Sequence, residues 1–256
     1  MRSIWIIASN TFREIIRDRI LYGICVGAVL LIGLSLALGE LSFAEQARIT
    51  TSFGLTSIQL SAVILSIFLG SSLVTKEIEK KTIMTLLVRP VTRTQFLLGK
   101  ALGLLFLQVT VMTLLAGVLL LIYVNINLEI QYQVFVALHG ILLEAIVLLG
   151  LALFFSIFAT PMMVVAFTAG LFIIGHWLDS LAFFFSKGEV NMVSKFLSKV
   201  LPQIVPNLDR FNWRSAVVYG DAIAFNEVLL TSGYAAAWFA LLIGAAGYIF
   251  RRRDFA

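Results

Sequence analysis

The stretch Thr75–Lys100, TKEIEKKTIMTLLVRPVTRTQFLLGK, lies between two runs of membrane-grade hydrophobicity. It holds six basic residues, Lys76, Lys80, Lys81, Arg89, Arg93 and Lys100, against two acids, Glu77 and Glu79. A basic segment between apolar spans is retained on the cytoplasmic side of a membrane, because Lys and Arg resist translocation. Within it, Lys76 to Leu87 has the pattern of a short amphipathic helix, with Ile78, Thr82 and Leu86 on one side. Arg89-Pro90 stops that helix, since the residue before a proline is driven out of the helical region.

Outside this stretch the chain is poor in charge. Only 13% of residues are Asp, Glu, Lys or Arg, and 60% are hydrophobic. Mean hydropathy is +1.00, far above what a water-soluble domain carries. The apolar runs are continuous rather than alternating, which excludes a β-barrel and predicts spanning helices. The net charge of +5 comes from residues between the spans, so nucleic acid is excluded as a partner and the lipid bilayer is the expected surroundings. Cys25 is the single cysteine and sits inside a span, which rules out an internal disulfide.

The expected fold is an all-α polytopic membrane protein forming one domain over residues 1–256. Residues 1–19 read as an amphipathic helix in the membrane interface, with Trp5, Ala8, Phe12, Ile15 and Ile16 on the apolar face. Six spans follow, at about Ile20–Gly39, Leu55–Val74, Phe96–Val124, Val134–Phe158, Pro161–Phe185 and Val228–Phe250. Ala159-Thr160-Pro161 makes spans four and five a tight hairpin, because proline is tolerated in a first helical turn. Thirteen Lys and Arg fall on one side and six on the other. The positive-inside rule therefore places both termini and the loop 75–95 in the cytoplasm of a cell inner membrane. The long outer loop 186–227 carries an apolar stripe from Val190 to Leu201, read as an interfacial helix that Pro202 and Pro206 end.

Several polar residues lie within spans. Glu144 is in span four with His139, and span five carries His176 and Asp179 at i, i+3. An acid inside a bilayer marks either a pathway or a hydrogen-bonded helix contact. The four residues are therefore candidates for the lining of a translocation path, with structural bonding between spans four and five as the alternative. No metal site is assigned to them. Gly23 and Gly27, spaced G-x-x-x-G in span one, are candidates for a dimer interface, with packing inside one chain as the alternative. Gly99 and Gly103 repeat that spacing in span three.

The central string resembles the permeases of the type-2 ATP-binding-cassette exporter family. The matching residues are Glu77, Glu79, Thr82, Leu86, Leu87, Pro90, Val91, Arg93, Leu98, Gly99 and Lys100. One departure is Lys81, where the family usually has glycine. The leader, with Asn10-Thr11-Phe12-Arg13-Glu14 and Arg17-Asp18-Arg19, is similar to the family's elbow helix, and the tail Arg251-Arg252-Arg253-Asp254-Phe255 is similar as well. The outer string Leu201-Pro202 to Pro206-Asn207-Leu208-Asp209-Arg210-Phe211-Asn212 resembles the branch of multicopper-enzyme and nitrous-oxide-reductase maturation permeases. The resemblance implies a cytoplasmic coupling helix between spans two and three, docked on a cytosolic ATPase through Glu77, Ile78, Glu79, Lys80, Thr82, Arg89 and Arg93. It implies a second contact through Arg13 and Arg17 of the elbow helix. It also implies two ATPase copies and a second permease copy, the same or different, per transporter.

No G-x-x-x-x-G-K-[ST] occurs in the chain, so ATP and magnesium belong to the partner. The chain itself is expected to hold no cofactor. Leu98-Gly99-Lys100-Ala101 lacks the glycine-rich loop and the following hydroxyl. No G-x-S-x-G or H-E-x-x-H is present either, so no catalytic residue is assigned. An ATPase-independent channel or scaffold is the alternative reading, followed by an intramembrane enzyme built on Glu144.

Overall fold

The structure, a computed structural model, describes residues 2–41, 45–79, 92–187 and 202–252. Among them are helices and no strand. The helices are α1 (Arg2–Ile16), α2 (Arg19–Glu40), α3 (Gln46–Glu79), α4 (Arg93–Asn125), α5 (Tyr132–Ser156), α6 (Pro161–Lys187), α7 (Arg214–Tyr219) and α8 (Phe225–Arg252). A single 3-10 turn covers Asp209–Phe211. Six of the described helices, α2 to α6 and α8, are long and apolar enough to cross a membrane. The segment from Val190 to Leu201, expected to form an interfacial helix, lies outside the described residues. The chain is helical at 202–204, beyond the expected stop at Pro202.

Local chemistry sets the helix limits more sharply than hydropathy does. Asp18 ends α1 and starts α2, its carboxylate accepting from the Ile20 amide at 3.0 Å. Thr92 and Gln95 form a reciprocal capping box, with Thr92 Oγ1 accepting from the Gln95 amide and Gln95 Oε1 from the Thr92 amide. The α4 helix therefore opens at Arg93, three residues before the first apolar residue of span three. Asn127 takes a left-handed φ of 52° after α4, and the Leu128 amide folds back onto the Tyr123 carbonyl at 2.9 Å.

Span two departs most from expectation, since its helix begins at Gln46, nine residues before Leu55. The polar run of Thr50, Thr51 and Ser52 hid that start, because hydropathy scores hydroxyls as loop. In the fold Thr50 and Thr51 face neighbouring helices, and Ser52 is exposed. Thr50 Oγ1 donates to the Ser35 carbonyl on α2 at 3.4 Å, and Tyr123 Oη on α4 donates to Thr51 Oγ1 at 2.7 Å. With 34 residues, α3 is about 51 Å long and exceeds the ~30 Å hydrocarbon core. It runs without a break through the first residues of the loop expected at 75–95.

α3 and α5 form the centre. In the most apolar stretch of each, 67% of residues are buried, against 22% for α2 and α6 and 17% for α8. The other helices thus present most of their surface to lipid or to another chain. Ile58, Leu65, Leu104, Leu115 and Leu149 are fully buried in the main core. Polar side chains tie this core together. Ser66 Oγ of α3 donates to the Ala145 carbonyl of α5 at 2.9 Å, and Gln108 Nε2 of α4 to the Ala62 carbonyl of α3 at 3.3 Å. Apolar contacts between helices gain little from leaving lipid for protein, so close packing and such hydrogen bonds carry helix association.

Candidate functional site

The basic end of the bundle gathers α1, the start of α4 and the end of α8. Here Gly99 and Gly103 explain themselves. A Cβ on Gly99 would meet Ile7 and the Ile4 carbonyl, and one on Gly103 would meet the Ala8 carbonyl and Thr11. The two glycines are the groove in which α1 lies. That seat buries much of the expected apolar face, Trp5 excepted. Ala8, Thr11 and Ile15 are buried, while Trp5 is 63% exposed and touches Phe106 only edge-on, with centroids 5.5 Å apart. Lys100 is buried between the two helices, its Nζ 3.5 Å from Glu14 of α1 and over the Phe96 ring. Arg13 and Arg17 point away from this contact and are exposed.

Of the expected ATPase-facing residues, Arg93 is described in full. Its Nη1 donates to the carbonyls of Phe250 at 3.2 Å and Arg251 at 3.4 Å. These carbonyls belong to the last turn of α8, where no amide within the helix can satisfy them. A cation there also opposes the negative end of the helix dipole. Arg93 thus joins the start of α4 to the end of α8. Glu77, Ile78 and Glu79 belong to the last turns of α3, and their side chains lie outside the described part. Lys80, Thr82 and Arg89 lie outside the described residues altogether.

The intramembrane polar residues divide into two places. His139 and Glu144 are five residues apart, about 140° around a helix, so they face different neighbours. His139 Nε2 lies 2.9 Å from Ser232 Oγ on α8. Ser232 already donates its one hydrogen to the Val228 carbonyl at 2.7 Å, so His139 Nε2 is the donor. Glu144, 1% exposed, accepts from Gln59 Nε2 of α3 at 2.7 Å through Oε2. Its Oε1 lies 3.4 Å from His176 Nε2 of α6.

That geometry implies one proton. His176 Nδ1 is 3.2 Å from the Phe172 carbonyl, which only accepts, so Nδ1 carries a hydrogen. Neither Glu144 Oε1 nor His176 Nε2 has a hydrogen-bond partner among the described residues, and their 3.4 Å approach is an ion-pair contact. Two bare acceptors facing each other in a buried site repel, so a proton lies on one of them. The pair is net neutral whichever atom holds it, which is what makes its burial tolerable. His176 and Glu144 are thus brought together as expected, His139 is not with them, and the side chain of Asp179 lies outside the described part.

The sequence reading missed three partners. Gln59 sits mid-span in Ser57-Ile58-Gln59-Leu60, and an amide at that depth was the available signal. Arg214 and Asp209 come from the segment between α6 and α8, which lies toward the cluster. Gly140 and Gly175 allow it in, since a Cβ on either would strike the backbone of that segment at Phe211 or Pro206. The Leu208 amide donates to the Gly175 carbonyl at 3.1 Å, and Leu208 and Phe211 are buried. Arg214 donates from Nε to Asn212 Oδ1 at 3.0 Å and from Nη1 to Thr56 Oγ1 at 3.2 Å. Burial pushes its guanidinium below the usual range, and the carboxyl groups of Glu144 and Asp209 pull the other way.

Gly23 and Gly27 behave unlike the glycines of α4. A Cβ on either meets nothing within 4 Å. They lie on the open side of α2 with Tyr22, Val26 and Leu30, all exposed within one chain. Among the described residues no group of three His, Cys, Asp or Glu could hold a metal ion.

The chain matches, over residues 5–255, the model of a family described as ABC-2 family transporter protein. The match takes in every described helix from α2 to α8 and most of α1. A comparison with curated proteins found no match.

Proposed function

The chain belongs to the ABC-2 transporter family, and from that premise we propose that residues 75–95 receive the stroke of a cytosolic ATPase and pass it into the bundle at two points. The chain is the membrane permease subunit of an ABC transporter, and ATP hydrolysis resides in the partner subunit. What carries the proposal is the bracketing of that segment by two helices with different anchors. On its near side α3 runs unbroken from Glu79 back to Gln59 and the Glu144 cluster. On its far side α4 is held to α8 by Arg93 and to α1 by Gly99, Gly103 and Lys100. Displacing the segment therefore moves α3 against α5 and carries α4, α1 and α8 together. Glu77 and Glu79 would meet basic groups of the ATPase groove, and Arg13 and Arg17 would supply a second contact.

The working assembly on this reading has two permeases and two ATPases, with both termini and the segment 75–95 in the cytoplasm. Support for the orientation is the excess of Lys and Arg at the end of the bundle where α1, Arg93 and α8 converge. Support for a permease pair is the open glycine face of α2. The Glu144–His176 pair acts as a hydrogen-bonded pin across α3, α5 and α6 that is remade in each conformational cycle. A place in the maturation-permease branch rests on the string from Leu201 to Asn212 and would make the exported cargo copper- or sulfur-linked.

The test is replacement of residues 80–91 by a Gly-Ser linker in the full chain, co-expressed with its ATPase. Loss of co-purification and of permease-stimulated ATP hydrolysis is expected, with Glu79→Arg giving a partial loss. Unchanged complex formation and stimulation after replacement would overturn the assignment.

A further inference from the structure

At the basic end, α4 and α8 meet through Arg93 and the stacked rings of Phe96 and Phe250, and along one side of that contact they do not close. Between them lies an open groove of about 620 Å³. Leu97, Leu98, Phe239, Ala240, Ile243 and Gly244 form its apolar walls, and Thr94 and Arg251 stand at its mouth. We propose that this groove binds one anionic phospholipid, with an acyl chain along α8 and the phosphate at Arg251.

The groove has the polarity of such a lipid. From Arg251 to Phe239 it follows α8 for about 18 Å at 1.5 Å per residue, close to the ~15 Å depth of one leaflet's hydrocarbon. The polar groups are confined to one end, and the rest is aliphatic, aromatic or glycine. Among the described residues lining it, charge at that end is of one sign. Arg252 lies beside Arg251, its guanidinium 4.4 Å from the Tyr248 ring centre, and Arg93 reaches the Phe250 and Arg251 carbonyls. Among the described residues no acid lines the groove. The Arg251 guanidinium at headgroup depth, with Arg252 beside it, favours a phosphate with net negative charge over a zwitterionic headgroup.

The shape of the groove suits an acyl chain. The floor is also formed by glycine: a Cβ on Gly244 meets nothing within 4 Å, and one on Gly247 reaches only Leu97 and Thr94 side chains at 3.8 Å. A slender guest fits that floor, and a leucine side chain at position 244 would occupy space in the groove.

The experiment uses the full chain reconstituted in nanodiscs of equal phosphatidylglycerol and phosphatidylcholine, followed by native mass spectrometry of the released protein. The wild type should retain phosphatidylglycerol in preference to phosphatidylcholine. Arg251→Gln should keep a bound lipid but lower that preference about fivefold, as ~1 kcal/mol per basic side chain near an anionic headgroup implies. Gly244→Leu should lose the retained lipid while melting at the wild-type temperature. Retention without headgroup preference in the wild type, or unchanged retention in Gly244→Leu, would overturn the proposal. So would efficient cross-linking of Ala240→Cys between two copies in a Cys25→Ser background, because it would place a second permease in the groove.

Discussion

Glu144 shows how one buried acid is shared between two neighbouring helices. Its two oxygens are divided between Gln59 and His176, and one proton makes the second contact possible. Glu144→Gln preserves both contacts, because the amide accepts from Gln59 and donates to His176. Glu144→Leu leaves two buried polar groups unpaired, at about 1–3 kcal/mol each. The glutamine variant is therefore expected to match wild type in melting temperature and in stimulated ATP hydrolysis, while the leucine variant melts lower. If the glutamine variant kept its melting temperature but lost stimulation, a charge on the transport route would replace the pin. Arg93 makes a second case. Arg93→Gln removes a charge-assisted contact to the α8 carbonyls, worth about 1.5–3 kcal/mol. The expected readout is faster hydrogen exchange in the last turn of α8 with little change at Glu144.

At the scale of elements, the least apparent feature is that α1 packs closely against α4. Its seat consists of Gly99 and Gly103, the same spacing that on α2 faces nothing. Gly103→Leu should lift α1, because its side chain would run into the Ala8 carbonyl and Thr11. Overpacking of that kind costs about 1–3 kcal/mol. Limited proteolysis near Arg17 should then be faster, and ATPase association weaker if Arg13 and Arg17 form the second contact. The capping box at Thr92 and Gln95 fixes where α4 begins, hence where Arg93 stands. Thr92→Ala should cost about 1 kcal/mol, seen as a lower melting temperature. Both features were present in the sequence as a T-x-x-Q and a G-x-x-x-G. The first was passed over because hydropathy alone sets span limits at apolar residues. The second could be read as close helix approach, though not as an approach to α1, since spacing names no partner.

For the whole molecule, the open face of α2 and the two ends of the bundle lead to measurable outcomes. With Cys25 replaced by Ser, cysteine at position 23 or 27 should cross-link between copies if the permeases pair through α2. Cross-linking confined to other helices would move the interface. In the same background, cysteine at Thr92 should react with an impermeant reagent only after cells are opened, and cysteine at Asn127 should react in intact spheroplasts. The reverse pattern would invert the topology. The chain's own composition determined the class: continuous apolar runs leave the backbone no way to satisfy its polar groups in lipid except as helices. Six spans, the tight turn at Pro161 and the basic end followed from it, because hydrophobic length and Lys and Arg placement are local, additive properties. Tertiary structure alone decided which helices are central and that Glu144 meets Gln59 and His176 but not His139. It also decided that Arg214 reaches inward and that equal glycine pairs on α2 and α4 serve different ends. Those are questions of which faces meet. In a chain whose faces are nearly all apolar, hydropathy does not distinguish one face from another, and only close packing and a few directional hydrogen bonds do.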